Sequence, residues 1–405
     1  MPPTLQTPSW DDSLPTSTSL FGFAVPRPAR AEAFDPSEVC LVHVVQRCVR
    51  RAFLAGVDPV SGNDYGFRRE WIRRRMEALA SVFAVDVLTY AVMSNHIHQV
   101  LRNRPDVVAE WSDQEVALRW LRVFPGRRLD EHLAEPSDQD VKTLANNAER
   151  IKELRGRLAD ISWFMRALCE PIARLANKQD DCTGRFWEGR FKAQRIVDEA
   201  GLLACSLYVD LNPVRAAMAE SIDQCVHTGA FDRMQSESGE TIASAAFDLK
   251  VVTREEAATE IRDTPAEELR DKRRKQRRSP TGRRVRRDAW LSPLRMKRQA
   301  LSSDAEVHTG GLRSSDKGFL NLSPKDYFGL LGWLSLPTGT QIPDSVAAVL
   351  KSLGMSGEVW RDLVTNFRRY FGGSLIGGGG SMSNHAASIG RSYARGQRRV
   401  AELLG

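Results

Sequence analysis

The spacing of apolar residues predicts three strands and one helix in the first quarter of the chain. A run of β-branched residues at 39–45 predicts the first strand. From residue 67 to about residue 83, apolar side chains recur at helical spacing and arginines fill most of the other positions, which predicts an amphipathic helix. A second strand is predicted to begin near Val85, and a third at residues 96–101.

Helical patterns dominate the sequence that follows. Residues 106–160 are helical in pattern and highly charged, which indicates an insertion rather than a part of the core. Further helices are predicted at 162–178 and 198–212. The second of these should stop at Pro213, because proline disfavours helical backbone at the residue before it.

Changes in composition divide the chain into four parts. Residues 1–34 are rich in proline, serine and threonine and predict a disordered arm. Residues 35–230 form the expected main domain, and residues 231–315 are expected to be a linker that contains a basic segment at 271–298. Helical patterning returns after this linker, so residues 316–405 predict a small helical domain.

The overall composition is that of a soluble globular protein. The chain has 405 residues, of which 42% are hydrophobic and 27% charged, and this balance excludes a wholly disordered or collagen-like chain. No stretch approaches the roughly 18 apolar residues that a membrane helix needs, and no signal segment is apparent. The six cysteines form no C-x-x-C pair, so the expectation is reduced thiols in a cytoplasmic protein.

The positive charge is concentrated in one segment. The whole chain carries a formal charge of +7, whereas residues 251–300 alone hold 16 Lys+Arg and 8 Asp+Glu, so the rest of the chain sums to −1. A local basic run suggests a polyanion partner such as nucleic acid, and a solvated linker is the alternative. The densest part of this basic segment contains Lys272, Arg273, Arg274, Lys275, Arg277 and Arg278.

Two histidines on the third predicted strand are candidate metal ligands. Alternate side chains of a strand share a face, so His96 and His98 would point the same way, about 7 Å apart along the chain. Two neutral imidazoles on one face can bind one divalent metal ion. Taken alone, the H-x-H motif also fits two partly exposed histidines that bind nothing.

A tyrosine and an asparagine on a later helix are the second candidate pair. Tyr208 and Asn212 are four residues apart, so they would lie on one face of the helix predicted at 198–212. Leu203, Leu207 and Leu211 form a neighbouring apolar stripe that can dock on a sheet. The alternative is a tyrosine at the edge of the core and an asparagine that ends the helix before proline.

Three motifs occur together and in a definite order: Tyr90-Ala-Val-Met93 before His96-Ile-His98, then Gly184-Arg-Phe-Trp-Glu-Gly-Arg-Phe191, and finally Tyr208-Val-Asp-Leu-Asn-Pro-Val-Arg215. In this combination the chain resembles the single-tyrosine HUH transposases of the IS200-like group, and most of all their REP-associated tyrosine transposase branch. The resemblance covers residues 36–225, roughly half of the chain.

The resemblance implies an α+β fold with a ferredoxin-like antiparallel sheet and helices on one face. To this HUH catalytic domain the pattern adds the helical insertion at 106–160 and the small all-α C-terminal domain. These additions depart from the minimal domain of the family. A further departure is Ser94, where many relatives have proline.

The resemblance also implies residue roles. His96 and His98 would bind Mg²⁺ or Mn²⁺, Tyr208 would be the nucleophile, and Asn212 would be a further metal ligand. Related insertion-sequence enzymes carry glutamine at the position of Asn212, so this position departs from their pattern. A phenol with a pKa of about 10 is a poor nucleophile at neutral pH. A bound metal would help by polarising a phosphate oxygen and orienting the phosphodiester for attack.

The implied activity is that of a single-stranded DNA endonuclease and strand transferase that cuts near hairpin-forming repeats through a 5′-phosphotyrosine intermediate. Relatives include monomers and homodimers. Basic residues interleaved with an aromatic ring suit single-strand binding, although a packing role for the tryptophan is an equal alternative. The candidate DNA contacts in and near the catalytic half are Arg185, Trp187, Arg190, Lys192 and Arg215.

Two other functions remain open from the sequence. One is a non-catalytic DNA-binding protein domesticated from a transposase, which would not need His96, His98 and Tyr208 together. The other is a metallohydrolase built on the H-x-H motif, which lacks further histidine or aspartate clusters in the sequence to complete its site.

Overall fold

The structure, a computed structural model, describes residues 34–49, 54–57, 62–126, 135–249, 282–295, 310–354 and 356–404. It is an α+β protein built on a mixed five-stranded sheet. The strands are β1 (Leu41–Arg47), β2 (Val85–Val92), β3 (His96–Asn103), β4 (Lys192–Ile196), β5 (Thr241–Ala243), β6 (Arg284–Arg286) and β7 (Leu375–Ile376).

The helices of the first part are α1 (Arg68–Ala80), α2 (Pro105–Ala109), α3 (Asp113–Val123), α4 (Asp138–Ala145), α5 (Ala148–Leu158), α6 (Ile161–Gln179), α7 (Glu199–Arg215) and α8 (Gly229–Glu237). Those of the C-terminal part are α9 (Pro324–Ser335), α10 (Asp344–Ser352), α11 (Gly357–Thr365), α12 (Phe367–Tyr370), α13 (Gly379–Ser388) and α14 (Gln397–Leu404).

The main sheet has the strand order β2-β3-β1-β4-β7. Its first four strands pair antiparallel, and β7 pairs parallel with β4. β5 and β6 form a separate antiparallel pair. The sheet therefore joins strands from distant parts of the chain, and the C-terminal β7 closes the edge beside β4.

Helices cover both faces of the main sheet, so the expectation of helices on one face is wrong. Alternate residues of β1 point to opposite sides: Val42 and Val44 join one hydrophobic core, with α1 and α6, and Leu41 joins the other, with α7. The physical reason is that both faces of the strands carry apolar side chains, and each face needs a covering layer.

The charged segment at 106–160 forms helices α2–α5, and it is less peripheral than its charge suggests. Trp111, Val116, Ile151 and Leu154 are buried in the same core as α1 and α6. Charged residues occupy the outer faces of these helices, as the salt bridge between Arg155 and Asp113 illustrates. The amphipathic pattern thus adds a layer to the core.

Helix α7 continues beyond the predicted stop. It ends at Arg215 with Pro213 inside it, so the prediction that Pro213 terminates the helix is wrong. Proline lacks the N–H that would bond the carbonyl one turn earlier. Leu211 is buried in the second core and Val214 packs against it, and this burial stabilises the last turn despite the missing hydrogen bond.

The described parts of the stretch 231–315 pack on the sheet, which corrects the expectation of a linker. Asp232 on α8 accepts hydrogen bonds from Arg73 Nε at 3.1 Å, from the Tyr90 hydroxyl at 2.8 Å and from Arg287 Nε at 2.6 Å. Trp290 is only 1% exposed. The basic cluster at 272–278 lies outside the described residues.

The C-terminal part is neither all-helical nor separate, which corrects that expectation too. Leu375 and Ile376 form β7 in the main sheet. Trp333, Trp360 and Leu363 from α9 and α11 are buried in the same core as α7. The C-terminal part therefore folds against the helix that carries Tyr208.

The close contact between α7 and β7 gives a stability prediction. A Cβ at Gly201 would lie 2.7 Å from Cα of Gly377, so Gly201→Ala must push β7 away and should lower the free energy of unfolding by about 1–3 kcal/mol. Gly156→Ala in α5 is the matched control, since no atom lies within 4 Å of its Cβ and it should stabilise by about 0.5–1 kcal/mol. Urea unfolding measures both, and equal stability of the two variants would contradict this packing.

Candidate metal and nucleophile site

The register of the sheet brings five polar side chains to one face. Arg47 on β1 lies opposite His96 on β3, and His43 lies opposite Gln194 on β4. Opposite residues of an antiparallel pair share a face, and alternation along β3 puts His98 on the same face as His96. This polar end of the sheet faces α7.

Three imidazoles lie in contact at this end. The ring centroids of His96 and His98 are 4.8 Å apart, and those of His43 and His98 are 5.2 Å apart with nearly parallel planes. His98 is 1% exposed and His43 2%. The two strand histidines thus share one face as the alternation predicts, and a third histidine joins them.

Helix α7 is fixed at both ends of the stretch that carries Tyr208. Asp198 caps its first turn by accepting a hydrogen bond from the Gly201 N–H at 2.7 Å. Two residues after the tyrosine, the buried Asp210 accepts hydrogen bonds from the hydroxyls of Thr89 on β2 and Tyr327 on α9, both at 2.6 Å. These bonds set the rotation of α7 relative to the sheet.

Tyr208 faces the histidines within the same chain. Its ring centroid is 5.7 Å from that of His98 and 6.1 Å from that of His43, both edge-to-face. On its other side the ring stacks on Phe367 of α12 at 4.2 Å. Tyr208 is consequently only 4% exposed.

Arg368 of α12 contacts the tyrosine oxygen directly. Its Nε donates a hydrogen bond to the Tyr208 hydroxyl at 3.1 Å. The same arginine lines a cavity beside His96 together with Arg47, Arg190, Lys192 and Glu188. A guanidinium therefore reaches both the candidate nucleophile and the neighbourhood of the candidate metal ligands.

A chain of hydrogen bonds fixes the protonation pattern of His98. Gln194 Nε2 donates to the carbonyl oxygens of Phe371 and Gly373, both at 2.7 Å, so its Oε1 must be the acceptor for His43 Nδ1 at 3.1 Å. Neutral His43 then has a bare Nε2, which accepts from His98 Nδ1 at 2.9 Å. The lone pair of His98 is thereby assigned to Nε2.

The free nitrogens of both strand histidines are buried. Nε2 of His96 and Nε2 of His98 have no hydrogen-bond partner within the described part of the chain. On His96, Nδ1 contacts the Asn95 side-chain oxygen, which leaves its lone pair on Nε2 as well. Buried polar atoms without partners are costly in a folded protein, and a bound metal ion would satisfy both.

All three imidazoles are neutral at neutral pH. Burial, together with the positive charge of Arg368, lowers the pKa of His43 to about 4 and that of His96 to about 3. Burial, together with His96 and His43, holds the pKa of His98 well below its ordinary value. Neutral imidazoles are the form that binds metal.

The residues at this site supply two of the ligands that a divalent ion needs. Across the ranges that the structure describes, no group of three His, Cys, Asp or Glu side chains is arranged to hold a metal. Asn212, expected as a further ligand, donates from Nδ2 to the Tyr208 carbonyl oxygen at 3.0 Å. Two imidazole nitrogens therefore lack partners among the described residues, the carboxylate of Glu188 lines the cavity beside His96, and Asn212 stays the ligand that the resemblance implies.

The other expected DNA contacts are distributed around the site. Arg190 and Lys192 line the cavity beside His96. Trp187 is half-buried and its indole N–H donates to the Cys169 carbonyl at 2.9 Å, which is a packing role. Arg215 donates to the Val364 carbonyl at 2.7 Å and so ties α7 to α11.

Sequence reasoning missed Arg47, Gln194 and Arg368 as parts of the site, and for His43 it favoured a structural role over one that faces the site. His43 and Arg47 alternate on β1, which is a usable signal only once β1 is known to pair with β3. Arg368 follows Tyr208 by 160 residues, so nothing local in the sequence connects the two.

Comparisons with known proteins give no relative: neither the scan of family models, nor the search of curated proteins, nor the search of solved structures finds a match. Among the described residues, no helix combines the length and apolar character that crossing a membrane would need.

The hydrogen-bond chain predicts an unusual tautomer. In the metal-free protein, ¹⁵N NMR should find His98 protonated at Nδ1. His43→Phe removes the acceptor but keeps a ring, so His98 should shift to the Nε2-protonated form and Mn²⁺ affinity should fall by about 10–100-fold. His385→Gln, at the far histidine on α13, is the control and should leave both unchanged. An Nε2-protonated His98 in the unaltered protein would contradict the assignment.

Proposed function

We propose that this protein is a metal-dependent single-stranded DNA endonuclease and strand transferase in which Tyr208 forms a 5′-phosphotyrosine intermediate. The observation that carries the proposal is the contact of Tyr208 with His98, which in turn contacts His96, since the Nε2 atoms of both histidines are buried and unpartnered in the described structure. This constellation is the one that the resemblance to single-tyrosine HUH transposases implies.

The strand order of the sheet also supports the proposed likeness to single-tyrosine HUH transposases. The strand order β2-β3-β1-β4, all antiparallel, with α1 between β1 and β2, is compatible with a ferredoxin-like arrangement. In this proposal β7 and the C-terminal helices are additions to that arrangement. The HUH histidines would lie on the interior strand β3, facing the helix that bears the tyrosine.

His96 and His98 would hold the metal through Nε2, with an oxygen of Asn212 or Glu188 as a further ligand. A bound Mg²⁺ or Mn²⁺ would polarise a phosphate oxygen and orient the phosphodiester for in-line attack. Mn²⁺ suits an imidazole-containing site better than Mg²⁺ does.

Tyr208 would then attack the phosphorus. The bond from the phenolic oxygen to phosphorus forms as the bond to the 3′ oxygen breaks, and the strand is left with a 3′-hydroxyl. The phenol gives up one proton to solvent and the leaving oxygen takes one up, so protons balance. Because the phosphotyrosine bond retains the energy of the phosphodiester, a second 3′-hydroxyl can reverse the step without ATP.

Arg368 would assist this step at the phenolic oxygen. Its hydrogen bond to the Tyr208 hydroxyl orients the oxygen and stabilises the negative charge that develops on it. Its position in the cavity with Arg47 and His96 also suits it to contact the phosphate.

The alternative function is a DNA-binding protein domesticated from a transposase that no longer cuts. The tight cover of Tyr208 by Phe367 is the observation that favours it, since a phosphate must reach the phenolic oxygen for any cleavage. The neutral, prearranged histidines favour the enzyme, because binding alone does not need them.

Removal of the phenolic oxygen tests the assignment of the nucleophile. With Mn²⁺ and a labelled single-stranded hairpin oligonucleotide, the unaltered protein should give a nick and a covalent adduct on a denaturing gel. Tyr208→Phe should abolish the adduct and leave DNA affinity nearly unchanged, because the ring still stacks on Phe367. An adduct that persists in this variant would rule out Tyr208, and binding without any nick would favour the domesticated protein.

The contribution of Arg368 can be separated from general charge. Arg368→Gln should lower the rate of nicking at saturating DNA by about 100-fold, as loss of a preorganised donor to a developing charge does. Arg369→Gln is the matched control, because Arg369 is the exposed neighbour on the same helix and does not line the cavity. Equal rates in the two variants would show that Arg368 only adds positive charge to the surface.

A further inference from the structure

A groove of about 790 Å³ runs between α6 and the loop at 184–191. Trp163, Arg166 and Arg174 line it from α6, and Arg185 and Phe191 line it from the loop side. Its volume is in the range of sites that enclose an organic ligand. The α6 residues belong to none of the motifs that suggested a function.

The lining of the groove is positively charged. Four exposed arginines, Arg166, Arg174, Arg185 and Arg190, line it, against a single carboxylate, Glu170. Glu170 is already paired with two of them, at 3.3 Å to Arg166 and 2.7 Å to Arg174. Because the chain outside residues 251–300 sums to a charge of −1, this arginine cluster is a local feature that favours an anion.

Aromatic side chains form the walls between these arginines. The guanidinium of Arg166 lies over the Trp163 ring at 5.1 Å, and Phe186 and Trp187 meet edge-to-face at 4.8 Å. Phe186 is buried and supports the loop, whereas the half-buried Trp163 and Phe191 and the exposed Arg166 offer planar groups on which nucleobases can stack. The groove thus alternates the two kinds of contact that a single nucleic acid strand requires.

The loop wall is held in place before any ligand binds. The Val49 N–H donates to the Phe186 carbonyl at 2.8 Å, and Asn177 Nδ2 donates to the Gly184 carbonyl at 3.0 Å. Gly184 has φ of +99°, a conformation that other residues rarely adopt, so a glycine is needed at this bend. A fixed groove lowers the entropy cost of binding a flexible strand.

The groove leads to the candidate active site. Gln46, Gly189 and Arg190 line both the groove and the cavity that contains His96 and Arg368. Gln46 Nε2 also donates to the Gly189 carbonyl at 3.1 Å, which fixes this junction. A strand whose phosphate lies beside His96 would therefore continue past Arg190 into the groove.

We infer that the groove between α6 and the loop at 184–191 binds the unpaired nucleotides next to the phosphodiester that is cut. This inference rests on the proposed function, whose substrate it extends from one phosphate to the flanking strand. Arginines would contact the successive phosphates, and Trp163 and Phe191 would stack against bases. Trp187 fixes the loop on α6 and makes no base contact in this account, since its indole N–H is used by Cys169.

An acidic peptide is another anion that the arginines of the groove would attract. The aromatic walls favour a nucleic acid strand over such a peptide. Carboxylates would use the arginines alone, whereas unpaired bases also use the flat surfaces of Trp163 and Phe191. A duplex keeps its bases stacked on one another, so it could use only the charges. Binding through this groove should therefore be strongest for a single strand.

The test measures binding without cleavage. In a Tyr208→Phe background with EDTA, fluorescence anisotropy gives the affinity of a labelled single-stranded oligodeoxynucleotide over a range of salt concentrations. Replacing Arg166, Arg174 and Arg185 together by glutamine should weaken binding by at least about tenfold. The slope of log affinity against log salt should fall by about 2, or about 0.7 for each lost phosphate contact.

A control of equal charge change keeps the test specific. Arg391 and Arg398 are exposed, Arg150 is partly exposed, and none of the three lines the groove, so their joint replacement by glutamine should leave affinity and slope close to those of the parent. Circular dichroism of both triple variants checks that they fold. Equal weakening by the two sets would overturn the groove as a binding site, and equal weakening for duplex DNA would overturn its preference for a single strand.

Crosslinking locates the strand. Oligonucleotides that carry 5-iododeoxyuridine next to the cut position should crosslink to peptides that contain Trp163 or Phe191, and the groove variants should lose these products. Crosslinks that map to other peptides would overturn the inference. Because neither experiment needs a nick, failure of the groove and failure of the proposed chemistry are distinguishable: a protein that binds here without cutting contradicts only the latter.

Discussion

The hydrogen-bond chain from Gln194 through His43 to His98 is the constraint on which the site depends. It runs across three strands and ends on the backbone carbonyls of Phe371 and Gly373. Because these carbonyls can only accept hydrogen bonds, they fix which atom donates at every step of the chain. Burial keeps the imidazoles neutral. Together these effects leave the lone pair of His98 on Nε2, the atom with no partner in the described structure.

This constraint gives the C-terminal part a role in the site. The carbonyls that orient Gln194, the arginine that bonds Tyr208 and the phenylalanine that stacks on it all lie between residues 367 and 373. β7 and the contact at Gly201 hold that stretch against α7. A segment that the sequence suggests is a separate domain is therefore structurally part of the candidate active site.

Local patterns were sufficient to predict most elements and the central residues. Alternation on β3 placed His96 and His98 on one face, and helical spacing placed Tyr208 on α7, whose observed bounds differ from the predicted ones by one residue at the start and three at the end. The missed features depend on long-range pairing: His43 becomes relevant only because β1 lies beside β3, and Arg368 only because α12 packs on α7. Pro213 shows the opposite error, where burial of neighbouring side chains outweighed a local preference.

The central claim is that one divalent ion binds to Nε2 of both His96 and His98 beside Tyr208. Pulsed EPR of the Mn²⁺-loaded protein tests it most directly, because a nitrogen bound to Mn²⁺ gives a resolved coupling. The account predicts couplings from two imidazole nitrogens, reduced to one by His96→Ala. Saturating Mn²⁺ binding with no nitrogen coupling would contradict it, since the ion would then be held by oxygen ligands elsewhere.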